Sequence, residues 1–262
     1  MLEAENPVGI LDSGIGGLSV AAAIRQLMPM EPILYVGDSA HVPYGGKTEE
    51  YIRRRSLYLA EFLLKRGAKA IVIACNTATA AAATDLRERL SVPVIGMEPA
   101  VKPAAAATRS GIVGVLATTG TLASARFAGL LDRFGEGIQV LTEPCPELVH
   151  LVERGDLGSL QARRTVAAHV APLVAAGADT LILGCTHFAF LRGLIEAEAG
   201  PGVTVIDTGP AVARQLQRKL RETERMAVLG GELVIYTSGD PVRFSVVAGR
   251  LWPGAPAVLA LD

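Results

Sequence analysis

An apolar run ending in cysteine occurs twice, and the second copy constrains what the first can be. Ile71-Val72-Ile73-Ala74-Cys75-Asn76-Thr77 returns 110 residues later as Leu181-Ile182-Leu183-Gly184-Cys185-Thr186-His187. Gly67-Ala68 and Gly177-Ala178 precede the two runs at the same distance. No polar residue alternates with the apolar ones, so both runs read as strands buried on two faces, as in a parallel sheet. Other matches keep the order. Val8-Gly9-Ile10-Leu11 corresponds to Val113-Gly114-Val115-Leu116, and Thr118 falls where Ser13 does. Val94-Ile95 with Pro99-Ala100-Val101 corresponds to Val205-Ile206 with Pro210-Ala211-Val212. One match between apolar strands is unremarkable, whereas several in fixed order predict an internal duplication.

Strand and helix signals alternate along the first half. Strands are expected at 8–11, 33–36, 70–74 and 92–95, with helices at 18–27, 49–66 and 79–90. The second half repeats that order. The tail, with a strand at 233–236 and a helix at 241–251, has no counterpart there and returns to the first unit. Alternation of this kind predicts an α/β fold of two doubly wound, mostly parallel-sheet domains related by an internal pseudo-twofold duplication. The expected division is 1–97 plus 208–262 for the first domain and 98–207 for the second, with the active site in the cleft between them.

A chain of 262 residues, half of them hydrophobic and 5% aromatic, can bury two such cores. A formal charge of −1 excludes the basic face that nucleic-acid binding needs. The basic run Arg53-Arg54-Arg55 lies among Glu49, Glu50 and Glu61 and reads as a solvated helix face. The N-terminus carries Glu3 and Glu5 and no basic leader, and the longest uncharged stretches, 70–84 and 110–125, are too short and polar to span a bilayer. Three cysteines without a disulfide framework complete the expectation of a cytoplasmic protein with no membrane partner.

In open α/β sheets, ligands bind beyond the carboxyl ends of the strands. Asp12-Ser13, Cys75-Asn76-Thr77, Thr118 and Cys185-Thr186-His187 all fall at such ends. Free cysteine often only packs, but both thiols here meet the start of a helix, which favours an anion. Lowering a thiol from its usual value by about 1.5 units needs roughly 2 kcal/mol, within reach of a helix end and hydrogen bonds. Two thiols facing one substrate supply the two acid/base groups that inverting a carbon stereocentre requires. Cys145, between Pro144 and Pro146, lacks that setting and reads as structural.

Asp12 is expected either to cap the following helix or to serve the first thiol, and Glu153 and His187 to serve the second. Cys185-x-His187 is not a zinc spacing and no second close Cys/His pair exists, so no metal is expected, and a redox pair would lack Cys-x-x-Cys. Gly45-Gly46-Lys47-Thr48 imitates the end of a phosphate-binding loop but has His41 where glycine is required. It and Asp12-Ser13-Gly14-Ile15-Gly16-Gly17 read as tight turns offering N–H groups to a small anion such as a carboxylate.

On these residues the chain resembles the cofactor-independent glutamate racemases of the aspartate/glutamate racemase superfamily. The motifs are Asp12-Ser13-Gly14-Ile15-Gly16-Gly17-Leu18, Gly37-Asp38 with Pro43-Tyr44-Gly45, Ala74-Cys75-Asn76-Thr77-Ala78, Ala117-Thr118 with Gly120-Thr121, Cys145-Pro146 with Val152-Glu153, and Leu183-Gly184-Cys185-Thr186-His187. The resemblance implies no cofactor, and a proton transfer at Cα of glutamate in which Cys75 acts on the D and Cys185 on the L enantiomer. It implies that Asp12 supports Cys75, and that Glu153 and His187 support Cys185. It further implies that Asp12, Ser13, Tyr44, Gly45, Asn76, Thr77, Thr118, Thr121, Thr186 and His187 bind the substrate. D-Glutamate for peptidoglycan and a homodimer are implied in the same way. His150 and Phe188-Ala189-Phe190 depart from the family pattern without touching a thiol, as does Thr208. An aspartate racemase, one methylene away in substrate, and a two-lobed dicarboxylate-binding protein are the alternatives.

Overall fold

The computed structural model describes residues 4–261; Glu3 lies outside the described residues. The chain forms two all-parallel sheets. The first takes β1 (Val8–Asp12), β2 (Ile33–Gly37), β3 (Ala70–Ile73) and β4 (Val94–Ile95), joined by α1 (Leu18–Leu27), α2 (Glu49–Lys65) and α3 (Asn76–Arg89). After α4 (Val101–Ala107), the second takes β5 (Ile112–Ala117), β6 (Gln139–Pro144), β7 (Thr180–Gly184) and β8 (Thr204–Ile206). Its helices are α5 (Thr119–Leu122), α6 (Ala125–Phe134), α7 (Pro146–Glu153), α8 (Leu160–Ala175) and α9 (Arg192–Ala199). The chain then returns through α10 (Gly209–Glu222), β9 (Leu233–Thr237), α11 (Pro241–Leu251) and β10 (Val258–Ala260).

Strand order carries the repeat. The first sheet runs β10-β9-β2-β1-β3-β4 and the second β6-β5-β7-β8, so the second repeats the order β2-β1-β3-β4 of the first, which β9 and β10 extend at one edge. The likeness extends to packing. Val8 pairs with Ala70 and Val113 with Thr180. A side chain on Gly9 would meet Leu63 and Ile71 at 3.1 Å, and one on Gly114 would meet Leu173 at 2.9 Å and Leu181 at 2.6 Å. Both glycines therefore let the helix preceding the cysteine strand lie against the sheet. Those helices end alike. Gly67 (φ 85°) and Gly177 (φ 91°) take the left-handed conformation, and the next N–H returns to Leu63 and Leu173 respectively, each at 3.1 Å.

Three expectations change. The third helix begins at Asn76 rather than 79, because Cys75 itself is the capping residue. The run after Cys185 is a 3₁₀ turn, Thr186–Leu191, before α9, so Cys185 does not sit at an α-helix start. The basic run is not uniformly solvated. Arg54 is exposed, but Arg55 turns inward to the buried Asp38. The strand at 258–260, unforeseen in the sequence, adds an edge to the first sheet.

Candidate active site

Doubly wound sheets open a crevice where the strand order reverses, because the loops on either side leave in opposite directions. Those points fall between β1 and β3 and between β5 and β7. Asp12-Ser13 and Cys75 stand at the first, Thr118 and Cys185 at the second. The two openings share one narrow, nearly closed cavity with only about 10 Å³ open to a water-sized sphere. Ser13, Tyr44, Gly45, Cys75, Asn76, Thr77, Thr118, Cys185, Thr186 and His187 line it, together with Pro43, Val149 and Gly184. Asp12, Glu153 and Thr121, also expected here, are not among the lining residues and stand behind them.

The thiols keep different company. Cys75 Sγ accepts the N–H of Ala78 at 3.4 Å, as the cap of α3, and lies 3.8 Å from Ser13 Oγ as its donor. Ser13 Oγ in turn donates to Asp12 Oδ1 at 3.4 Å. Asp12 therefore reaches Cys75 through Ser13. Its other oxygen accepts Thr186 Oγ1 at 3.1 Å, across from the second sheet. Cys185 Sγ lies 3.6 Å from His187 Nδ1, and His187 Nε2 lies 2.7 Å from Glu153 Oε1. The same Glu153 oxygen accepts the N–H of Ile15 at 2.8 Å. The turn after β1 thus offers its N–H groups to carboxylates of the protein itself, Gly14 to Asp12 and Ile15 to Glu153, rather than leaving them for a ligand.

Burial sets the electrostatics. It lifts Asp12 to about 6, against the opposing pull of His187. It lifts the Cys75 thiol to about 12, with the nearby Asp12 charge adding to the effect. The expected lowering at a helix start is overturned in this ligand-free cavity, because one N–H and a hydroxyl do not replace the lost hydration. At His187 burial disfavours the charged ring. The Cys185 and Glu153 contacts outweigh it and leave the ring well above its usual value.

Two features bear on ligand binding. The side-chain amide of Asn76 is buried and neither its oxygen nor its nitrogen has a partner. An orphaned amide lining a cavity is an unmet demand for a polar guest, since leaving it unpaired costs about 1–3 kcal/mol. Thr77, Thr118 and Thr121 form a closed triangle of hydroxyls, 2.8, 3.2 and 3.0 Å apart, that joins α3 to α5. Of the three, the hydroxyls of Thr77 and Thr118 line the cavity and can rotate towards an acceptor there. No group of side chains suited to a metal occurs among the described residues.

The sequence left some functional geometry unread. Asp38 is fully buried, accepts the Tyr44 hydroxyl at 2.6 Å and is gripped by Arg55 at 2.9 and 2.7 Å. The inward tilt of Arg55 has no local signal. Thr48 caps α2 through Tyr51 N–H at 3.3 Å, and the Lys47 ammonium sits over the Tyr51 ring. The end of the phosphate-loop look-alike is therefore a helix start, and the 3₁₀ turn Tyr44–Gly46 carries Tyr44 and Gly45 to the cavity. Cys145 is fully buried away from the cavity, with its thiol on the Glu143 carbonyl at 3.2 Å.

Known proteins agree with this geometry. The model of the Asp/Glu/Hydantoin racemase family matches residues 18–216. A glutamate racemase of Pseudomonas putida strain W619 is 56% identical over 264 residues, covering all of both chains. A crystal structure of a glutamate racemase isoform from Bacillus anthracis superposes with a TM-score of 0.87 at 34% identity, over 98% of each chain. The Francisella tularensis glutamate racemase, crystallised in complex with D-glutamate, superposes at 0.83 with 28% identity over 99% of this chain and 97% of its own. The two thiols at equivalent strand ends, the cavity they share and these likenesses lead to one conclusion: the chain belongs to the Asp/Glu/hydantoin racemase family and is an isomerase.

Proposed function

We propose that the protein interconverts L- and D-glutamate by moving the Cα proton between Cys75 and Cys185. The observation that carries this reading is the pair of thiols from equivalent repeat positions lining one cavity. In one direction the Cys75 thiolate takes the Cα proton of D-glutamate while the Cys185 thiol delivers its own to the opposite face. The C–H bond breaks as the Cys75 S–H bond forms, and the Cys185 S–H bond breaks as the new C–H bond forms. The thiols finish with roles exchanged, ready for the reverse reaction, and two groups sharing one proton titrate as a pair.

The neighbours divide the work. His187, held by Glu153, is a cationic partner 3.6 Å from the Cys185 sulfur. Ser13 and Asp12 hold the proton of Cys75 within reach. A substrate ammonium entering the cavity would favour the thiolate of Cys75 by adding positive charge beside it. The orphaned amide of Asn76 and the hydroxyls of Thr77, Thr118, Thr121 and Thr186 suit the two carboxylates, with Tyr44 and Gly45 closing one side. Fixed dipoles in a dry cavity stabilise the carbanion-like transition state without reorganising.

Segments 1–97 with 208–262 and 98–207 act as two lobes in this reading, and the cavity between them opens to admit substrate. Glutamate is favoured over aspartate by the relatives, which are glutamate racemases, and by motif agreement. A homodimer in the cytoplasm, supplying D-glutamate for peptidoglycan, completes the proposal. Chiral chromatography of D- or L-glutamate incubated with the protein, no cofactor added, tests it. Conversion to a racemate is expected. Conversion of aspartate alone, or binding of glutamate without turnover, would replace it.

A further inference from the structure

Asp38 is fully buried, yet both of its oxygens are committed within the protein. Oδ1 accepts Arg55 Nη2 at 2.7 Å, while Oδ2 accepts Arg55 Nε at 2.9 Å and the Tyr44 hydroxyl at 2.6 Å. His41 Nε2 lies 4.0 Å from Oδ1. Three of its four acceptor sites are taken within the protein, and it does not line the cavity. It serves the residue it holds.

That residue lines the cavity, and the next one meets the other sheet's helices. A side chain on Gly45 would stand 2.9 Å from Thr118 Cβ, and one on Gly120 would stand 2.9 Å from the Gly45 carbonyl. The Tyr44–Gly46 turn therefore seats directly on the start of α5, beside the Thr77–Thr118–Thr121 hydroxyls. Its anchorage comes from a helix far from the chemistry: Arg55 lies in α2, its guanidinium 4.8 Å from the Tyr58 ring centroid. A bidentate guanidinium fixes both the position and the plane of a carboxylate, which a lysine ammonium does not.

We propose that Arg55 is a positioning residue: through Asp38 it holds Tyr44 and Gly45 at the substrate cavity and against Thr118. This rests on the racemase reading for its effect on turnover. Arg55 touches no substrate, so its loss should appear in substrate affinity rather than in the proton transfer.

The test compares Arg55→Lys, Tyr44→Phe and the double variant with the wild type. For Arg55→Lys the expected result is a KM for D- and L-glutamate about tenfold higher with kcat within twofold. The double variant should be no worse than the poorer single variant, because both act through Asp38. Hydrogen exchange of the segment 43–47 should quicken in Arg55→Lys while 8–12 keeps its protection. Unchanged KM and unchanged exchange at 43–47 would overturn the inference, as would losses that multiply in the double variant. A wild type that does not turn over glutamate would instead refute the functional reading. Exchange at 43–47 would still decide the role of Arg55. Tyr44→Phe leaves the buried ion pair whole and keeps the test available if Arg55→Lys folds poorly.

Discussion

Cys75 and Cys185 occupy one repeated position, yet their polar partners come from different places in the chain. Cys185 has His187 two residues on, where the first copy has Thr77; Cys75 draws on Ser13 and Asp12 from the β1 turn. The cysteines were legible because both strand and spacing repeat. Glu153 was less so, since one carboxylate in a helix looks solvated until the fold brings it to His187. Cys75→Ala and Cys185→Ala should each lower racemisation at least about 10³-fold with unfolding midpoints little changed, read by coupled assay and circular dichroism. Asp12 gives a pH signature. Burial raises it from 3.8 to about 6, so the native state binds this proton more tightly than the unfolded chain. Ionising it therefore costs stability, on the order of 3 kcal/mol above pH 6, and the cost is relieved as pH falls from 6 towards 4. The kcat/KM profile should lose activity below about pH 6. Asp12→Asn should remove both the acid limb and that pH-dependent part of denaturant stability.

At the scale of elements, the repeat preserves backbone needs more faithfully than chemistry. Gly9 and Gly114 exist because α2 and α8 lie against β1 and β5 too closely for a side chain, and that requirement showed in the sequence only as a repeated glycine. Gly114→Ala places a carbon 2.6 Å from Leu181 Cδ2 and 2.9 Å from Leu173 Cδ1. It should destabilise the fold by about 1–3 kcal/mol in urea titration, and Gly9→Ala should behave alike. Elements diverge after the cysteines. Cys75 opens a fourteen-residue α-helix, whereas the Phe188 N–H returns to the Cys185 carbonyl at 3.1 Å and starts a 3₁₀ turn. Similar cysteine motifs hid that difference, because Thr186-His187-Phe188 carries no strong cap or breaker. The misread solvated face of α2 has a related cause: helical periodicity places Arg55 on a side, but only tertiary packing puts Asp38 there.

For the whole molecule, one apolar core runs through residues of both sheets, and polar contacts cross between them beside the cavity. Thr186 reaches Asp12, Glu153 reaches Ile15, and Ser19 Oγ reaches the Thr186 carbonyl at 3.1 Å. Sequence led to the expectation that a pseudo-twofold would turn the carboxyl ends of two parallel sheets to one cleft, but not to which groups would touch. Gly14 marks the tightest of these meetings: an added Cβ would lie 2.0 Å from Glu153 Oε1. Gly14→Ala should keep each sheet folded and lower kcat/KM about 10–100-fold by displacing Glu153, and with it His187, from Cys185. Steady-state kinetics with a melting curve would read it.

The central claim is that two thiols act on opposite faces of one carbon. It is tested most directly by following D- or L-glutamate at early times in deuterated water. Proton NMR and chiral separation would locate the label. The account predicts that the newly formed enantiomer carries deuterium at Cα while the remaining substrate keeps its proton. Deuterium entering the starting enantiomer as fast as the product would show a single base serving both faces, and would contradict the two-thiol mechanism.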